Sequence, residues 1–517
     1  MKGTFHWTFP PIILLLRTIW SRPKLAEYIV DIDIRSGEGS WDGWKHDYTK
    51  YFTDSEKESL VMFLKSFPFD LKDKWAKQIE VEGSFDAYIA LLTQLPHVKT
   101  ISLTGEFWKS TELLGSMFRT ALHRQSPPEA DGSKFSTPTQ RSDKHILSRF
   151  QHLESIRATS SEQTLHNPRS NNSSDVMAFF NLPSLKNLSV AWSNRLRWGG
   201  DEDGYRLDPL VWPEGDPQQT KITSLDVKVL REQNLAKVLA RTPRLRKLKW
   251  EFWDAGSGSP DGPFDCAALS EALTNVQNTL EDLKIKASYE RRGNRHFMSQ
   301  QPDSSRVNGA LNLSGFNNLR KLEVPLMTLL GPGNREHFAD VLPKYVEHVI
   351  FTTDGFFKYF NFDSWYWEPE DLVKEFQTWL WHWKEITPHL KRVEIRWLAE
   401  WGPEALRAID LLLTKAGRRY AIEFVLKNDS DYEKWGTEWE RREDPWHASN
   451  FKFKRLERHY EITNRETFDS LHTHVLRPTE REIRDRKITV DRRRAHEAEN
   501  SDDEGPLNLD FGLELGD

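Results

Sequence analysis

Leu245-Arg246-Lys247-Leu248-Lys249-Trp250 runs apolar, polar, polar, apolar, polar, apolar. The phrase returns as Leu153-Glu154-Ser155-Ile156-Arg157-Ala158 and Leu185-Lys186-Asn187-Leu188-Ser189-Val190. It comes back again as Leu280-Glu281-Asp282-Leu283-Lys284-Ile285, Leu319-Arg320-Lys321-Leu322-Glu323-Val324 and Leu390-Lys391-Arg392-Val393-Glu394-Ile395. Alternation with period 2 over these positions predicts short half-buried strands. Their recurrence predicts a repeat architecture, in which each unit buries its apolar residues only against its neighbours. Weaker copies begin at Ile29, Ala76, Val98, Ile222 and Val346, giving roughly eleven units over 29–395. A further strand is expected at Ala421-Ile422-Glu423-Phe424-Val425-Leu426.

The phrase matches the strand consensus of leucine-rich repeats, but the units are spaced unevenly, from about 22 to about 55 residues. The Asn or Cys that follows the strand in a regular repeat is missing. The turns are therefore expected to be satisfied differently from unit to unit. The fold class read from the sequence is α/β: an irregular leucine-rich-repeat-like solenoid, a ribonuclease-inhibitor-like arc, with disordered insertions and a charged C-terminal tail. Helical stretches such as Gln233–Arg241 precede strands, and Pro96 and Pro243 stand at those junctions because proline cannot continue a helix. The expected boundaries are a connector helix over 1–28 and the solenoid over 29–430. Polar insertions fall near 124–145, 163–175, 254–263 and 288–309, a Trp-rich extension covers 431–476, and the tail covers 477–517.

Composition narrows the function classes. A net charge of −6 argues against a nucleic-acid binder driven by overall charge. The lone Cys266 excludes an intrachain disulfide framework and fits a reducing compartment; it reads as a small buried residue on a helix. Pro10–Leu16 is too short for a membrane span and lacks a small-residue cleavage site, so a soluble cytoplasmic or nuclear protein is expected, without a membrane partner. The basic run Arg484–Arg494 reads either as a nuclear-localisation signal or as a solvated helix.

Ile12–Ile34 carries a helix ending in Arg22-Pro23-Lys24-Leu25-Ala26-Glu27-Tyr28-Ile29 that runs into a strand. With Leu182-Pro183-Ser184-Leu185 and Thr242-Pro243-Arg244-Leu245, it resembles the connector and repeats of fungal F-box/leucine-rich-repeat-like proteins. The resemblance covers roughly 10–430 and implies a substrate-recognition arc tied, through an F-box, to a cullin–RING ubiquitin ligase. A cullin–RING adaptor is then an implied partner, although no F-box is recognisable ahead of the connector.

Candidate site residues follow from strand parity. The polar positions of the phrase line one sheet face, expected to be concave: Arg246, Lys247 and Lys249; Glu281, Asp282 and Lys284; Arg320, Lys321 and Glu323; Glu347 and His348; Lys391, Arg392 and Glu394. Such a mixed-charge ladder fits a protein partner of complementary charge, and it equally fits a soluble face whose charges hold the strands in register. The expected function is protein–protein interaction, with no enzymatic activity, no cofactor and no metal. The alternative is an enzyme or carbohydrate binder built on the Trp-rich C-terminal region. Of 21 tryptophans, Trp192, Trp250 and Trp397 read as core and Trp253 as exposed. Trp365, Trp367, Trp379, Trp381 and Trp383 read as a binding patch or as an insertion packed on the sheet. Asp31/Asp33 and His472/His474 have the spacing of metal ligands without a completing set, and Gly256–Pro260 lacks the lysine of a phosphate loop.

Overall fold

The computed structural model describes residues 15, 17–19, 21–35, 53–65, 72–77, 95–104, 150–159, 173–191, 196–198, 205–207, 210, 212, 220–254, 264–289, 307–331, 336–352, 369–397, 422–428 and 458–459. Its centre is one twelve-stranded sheet that does not close. The strands are β1 (Asp31–Arg35), β2 (Thr100–Thr104), β3 (Ser155–Thr159), β4 (Asn187–Ala191), β5 (Ser224–Lys228) and β6 (Lys247–Asp254). They continue as β7 (Asp282–Tyr289), β8 (Lys321–Pro325), β9 (His348–Thr352), β10 (Arg392–Trp397), β11 (Glu423–Asn428) and β12 (Arg458–His459). Their order across the sheet is their order along the chain. Ten successive pairings are parallel. The last, between β11 and β12, is antiparallel. The protein is therefore mixed α/β with an open, almost wholly parallel sheet.

The phrase is used in two parts. Its second and third apolar residues lie on the strand and its first lies in the turn before it. Val98, Leu153, Leu185, Leu245, Leu280, Leu319, Val346 and Leu390 are all buried in those turns. Ile101, Ile156, Leu188, Leu225, Leu248, Leu283, Leu322, Val349 and Val393 form a buried row in register behind them. Period 2 therefore holds only from the third residue of the phrase. Pro96, Pro183, Pro243 and Pro388 each occupy the second residue of a tight turn closed by the backbone, as in Leu245 N–H to Thr242 C=O at 3.0 Å and Leu390 N–H to Thr387 C=O at 3.0 Å, whereas Pro343 is the first residue of its turn. The fixed φ of proline suits the second position.

The residue just before each strand makes the joint to the next unit. The Thr223 carbonyl accepts from Arg246 N–H at 2.8 Å and Lys247 N–H at 3.0 Å. The carbonyls of Val30, Lys99, Glu154, Lys186, Arg246, Glu281, Arg320 and Glu347 each accept two N–H groups of the following unit in the same way. On this side of the sheet, ahead of the strands, the joint is uniform; the expectation of turns satisfied differently from unit to unit concerned the side after the strands. The device is backbone, so no particular side chain is required. Beyond β5 a side chain does serve: buried Trp250 donates its indole N–H to the Leu230 carbonyl at 2.8 Å.

Helices α1 (Asp54–Lys65), α2 (Lys72–Lys77), α3 (Ser173–Ala178), α4 (Glu232–Leu239), α5 (Cys266–Thr274), α6 (Leu326–Leu330), α7 (Phe338–Val341), α8 (Pro369–Trp381) and α9 (Trp383–Ile386) accompany the strands. Their buried residues join the inward rows in one core cluster. Helix α4 contributes Leu235, Val238 and Leu239, and α5 contributes Leu269, Ala272 and Leu273. Asp265 caps α5 by accepting from Ala268 N–H at 2.9 Å. Thr53 and Glu56 form a reciprocal capping box at α1, with Arg17 joining the carboxylate at 2.8 Å. Thr53's backbone N–H, followed by Arg17, holds the Glu56 carboxyl below its ordinary range despite opposing desolvation.

Several expected boundaries move. Ala76 lies in α2 rather than on a strand: Lys-Asp-Lys-Trp-Ala-Lys has good helix formers and an acidic first turn, and the remainder of that copy, 78–81, lies outside the described residues. The insertion expected at 163–175 ends in α3. That expected at 288–309 starts only after Tyr289, because β7 pairs with β6 through Tyr289 opposite Asp254. It ends in Val307–Asn308, which pairs with Phe264–Asp265. Of the Trp-rich extension, Arg458–His459 adds the last strand; the insertion 124–145 and the tail 477–517 lie outside the described residues.

Near β9, Phe338 of α7 packs on Phe351 at 5.3 Å and on Trp379 of α8 at 5.0 Å between ring centroids. His337, just ahead of α7, places Nδ1 2.9 Å from the Glu375 carboxylate, whose other oxygen accepts from Phe338 N–H at 2.8 Å. The bond to Glu375 pushes the His337 imidazolium above its ordinary range, with smaller help from Asp340 and Glu336. A raised histidine pKa stabilises the fold below the unfolded value of about 6.5, and that contribution is lost as pH rises through the folded value. His337→Ala should therefore lower urea stability by less than about 1 kcal/mol at acidic pH, given the exposed ring, and the difference should vanish in alkaline buffer. Trp250→Phe keeps most of the apolar area but strands the Leu230 carbonyl. It should cost about 1–3 kcal/mol, measured by the shift in denaturant midpoint at constant m.

Candidate functional site

The outward positions of the strands fall into three rows, preceded by a rim formed by the residue before each strand. The first row sets Lys247, Asp282, Lys321, His348, Arg392 and Glu423 opposite one another across β6 to β11. The second sets Asp226, Lys249, Lys284, Glu323, Ile350, Glu394 and Val425 in register across β5 to β11. The third, toward the strands' C-terminal ends, carries Lys228, Glu251 and Lys286 on β5 to β7 and Arg396 on β10. Arg246, Glu281, Arg320, Glu347 and Lys391 belong to the rim rather than to strands. The two-part use of the phrase moves them off the sheet face proper.

The rim alternates in sign along Arg246, Glu281, Arg320, Glu347 and Lys391, one residue per unit. Lys391 pairs with Glu347, and Arg246 approaches Glu281 at 3.7 Å. Lys186 pairs with Glu154 at 3.0 Å. Hydrogen bonding from the lysine leads in holding the carboxyls of Glu347 and Glu154 below their usual range. Arg320 donates to the Tyr345 carbonyl at 2.9 Å and lies over that ring at 5.4 Å. Tyr345 in turn stacks on His389 at 5.3 Å.

Deeper in the face the carboxylates are buried. Glu323 and Glu394 are 3% and 2% exposed although both are expected to face a partner. Arg396 explains this. From β10 it donates to Glu394 at 2.7 Å and to Glu323, two strands away, at 2.8 Å. At that level the intervening strand places Ile350 between the two carboxylates, and Ile350 is only 7% exposed. Lys284 binds Glu323 at 2.5 Å, and Arg392 binds Glu394 at 2.9 Å and Glu423 at 3.3 Å. Lys249 binds Asp226 at 3.0 Å, Lys228 binds Glu251 at 3.3 Å, and Lys321 reaches Asp282 at 3.9 Å. Lys247 is exposed and has no ion pair among the described residues.

Sequence reasoning missed Arg396, Asp226, Lys228, Glu251 and Lys286. Asp226 falls inside the weaker copy that begins at Ile222, whereas Lys228, Glu251, Lys286 and Arg396 each follow the last apolar residue of a phrase, one outward position beyond it. One more step of the alternation, from Ile395 to Arg396, was the available signal.

Other candidates resolve differently. Trp379 is core, Trp381 is 52% exposed, and Trp250 is buried. Trp192, Trp365 and Trp367 and the side chains of Trp253 and Trp397 lie outside the described residues. Cys266 is buried at the start of α5, where burial, then Glu232 and Asp265, push its thiol well above the ordinary value. Burial also raises the Glu232 carboxyl, against the pull of Arg231 at 3.1 Å. Asp31 and Asp33 are exposed on β1, and among the described residues no group of three or more His, Cys, Asp or Glu side chains is placed to hold a metal. His472, His474 and Gly256–Pro260 lie outside the description. No helix of the described residues is long and apolar enough to cross a membrane.

Compared with protein-family models, with curated proteins and with solved structures, the chain matches none.

The buried and rim pairs should behave differently in double-mutant cycles. Arg396 with Glu323 should couple by about 1–3 kcal/mol, because the carboxylate is cut off from water. Arg246 with Glu281, half in solvent, should couple by less than about 1 kcal/mol, and salt should erase it. Urea unfolding of the single and double alanine variants gives both numbers.

Proposed function

We propose that this protein is a leucine-rich-repeat-like solenoid that binds another protein along its polar sheet face, in the cytoplasm or the nucleus. The observation that carries the reading is a parallel sheet whose strands follow chain order while one face remains charged. All-parallel sheets in ordinary α/β domains are covered on both faces and their strands are apolar throughout. Stacked repeats are the arrangement in which one face stays available over many strands. Chain order never reverses across the sheet. It therefore offers no switch point of the kind where doubly wound enzymes hold ligands, which favours extended surface recognition over a pocket. The resemblance of Arg22–Ile29 and the repeats to fungal F-box/leucine-rich-repeat-like proteins supports the narrower role of substrate receptor, with a cullin–RING adaptor as partner.

The variants that test this must avoid the buried network. Reversing Arg392 would leave Glu394 short of a cation, whereas Lys247 and Lys321 are exposed and outside that network. The Lys247→Glu/Lys321→Glu double variant should keep its denaturant midpoint within about 1 kcal/mol of the parent. It should also lose, by tenfold or more, the partners recovered by quantitative affinity capture of the tagged full chain from its native cells. Equal recovery by a folded variant would remove the polar face as the binding surface. Co-recovery of a cullin adaptor, insensitive to these two changes, is expected of the receptor role.

A further inference from the structure

The charges of the polar face do not cancel. Between β3 and β11 each carboxylate of the face and rim has a cation at 3.9 Å or less, or is paired as Glu347 is with Lys391. On the same face Arg157, Lys247 and Lys286 have no carboxylate partner among the described residues. Arg157 and Lys247 are exposed and Lys286 is half-buried. Between β3 and β11 the unsatisfied charge of the described face is therefore all of one sign, on a chain whose net charge is −6; the exposed Asp31 lies outside that stretch, on β1.

Resting on the proposed protein-binding role of this face, we infer that its partner presents an acidic, extended peptide segment, rich in Asp or Glu. Lys247 lies opposite Asp282 on the adjacent strand, and Lys286 is four residues farther along that strand. Strand spacing and rise put the two lysines about 14 Å apart. An extended peptide repeats a side chain on one face about every 7 Å, so acidic residues four positions apart match the pair. Arg157, three strands from Lys247 in the sheet order, extends the contact across the face. Each new pair forms beside carboxylates that already have partners, so an acidic segment neutralises the surplus without displacing an existing bond. A nucleic-acid backbone fits worse. Its charge is continuous, and it would be forced against Asp282 and Glu251 beside the free cations and against Glu281 on the rim.

The test is fluorescence anisotropy on the full chain with three labelled probes: a Glu/Ser decapeptide with glutamates four apart, the same peptide with lysines, and a single-stranded oligonucleotide. In low-salt buffer the acidic peptide binds and the basic one does not, and raising salt toward 0.3 M (about a 6 Å Debye length) weakens binding several-fold. Lys247→Glu/Lys286→Glu loses at least tenfold in affinity, while Lys237→Glu on α4 changes nothing. Absence of acidic-peptide binding, an unaltered affinity in the double variant, or tighter binding of the oligonucleotide overturns the inference. Full-length protein with Asp502, Asp503 and Glu504 neutralised is the last arm. Tighter peptide binding there makes the chain's own acidic end the occupant and overturns a partner in trans, whereas unchanged binding supports one. If the acidic peptide fails but Lys247→Glu/Lys321→Glu still loses captured partners, only the partner's chemistry is wrong. If both fail, the polar face itself is abandoned.

Discussion

A single carbonyl before each strand, accepting two N–H groups from the next unit, is the constraint on which the architecture rests. At nine consecutive joints, from Val30 to Glu347, the geometry is the same, with donor–acceptor distances between 2.7 and 3.2 Å. Because the acceptor is backbone, the residue supplying it is free to be Val30, Lys99, Glu154 or Thr223. That freedom is what allows the rim to alternate in sign without cost to the joint. The fixed points are only the buried apolar residue of the turn and the start of the strand. The chain between one strand's end and the next turn can then take any length that returns to the same joint. Uneven unit spacing and a regular sheet are compatible for this reason.

The polar face is layered electrostatically. On the rim, pairs such as Arg246 with Glu281 remain in water and act mainly on local charge. Farther along the strands, carboxylates sink beneath the cations that bind them, and Arg396 ties two strands together across an isoleucine. Removing a buried charge's partner leaves it uncompensated in a low dielectric, so that part of the face behaves as structure rather than as free recognition surface. The cations the network does not use stay available, and they are the ones on which the proposed recognition rests. Burial rather than residue type divides the face into these two parts.

The tryptophans divide in a similar way. Trp250 combines core volume with a donor that satisfies a backbone carbonyl, which Leu in the equivalent place of another unit could not do. Trp379 closes an aromatic cluster between α7, α8 and β9 and hydrogen-bonds Thr387 at 3.1 Å. Trp381, two residues on, faces out. Helical spacing places neighbours of one composition on opposite sides, which a count of tryptophans cannot distinguish.

Periodicity alone made the strands legible. The phrase Leu-x-x-Leu-x-Leu marked β3, β4, β6, β7, β8 and β10, and its weaker forms marked β1, β2, β5 and β9, because apolar alternation is a local consequence of burying one face. Parity likewise put Lys247, Lys249, Asp282 and Lys284 on the outward face. The division of the phrase between turn and strand was not legible. Leu245 is buried in the turn by packing against neighbouring units, and a single strand's pattern does not contain that information. Nor did composition show that Glu323 and Glu394 are sealed under Arg396. Their burial depends on a guanidinium reaching across two strand spacings, a distance that exists only once the units are stacked in register. Local pattern decided which residues face in or out; only the stacked sheet decided which outward charges cancel one another and which are left unpaired.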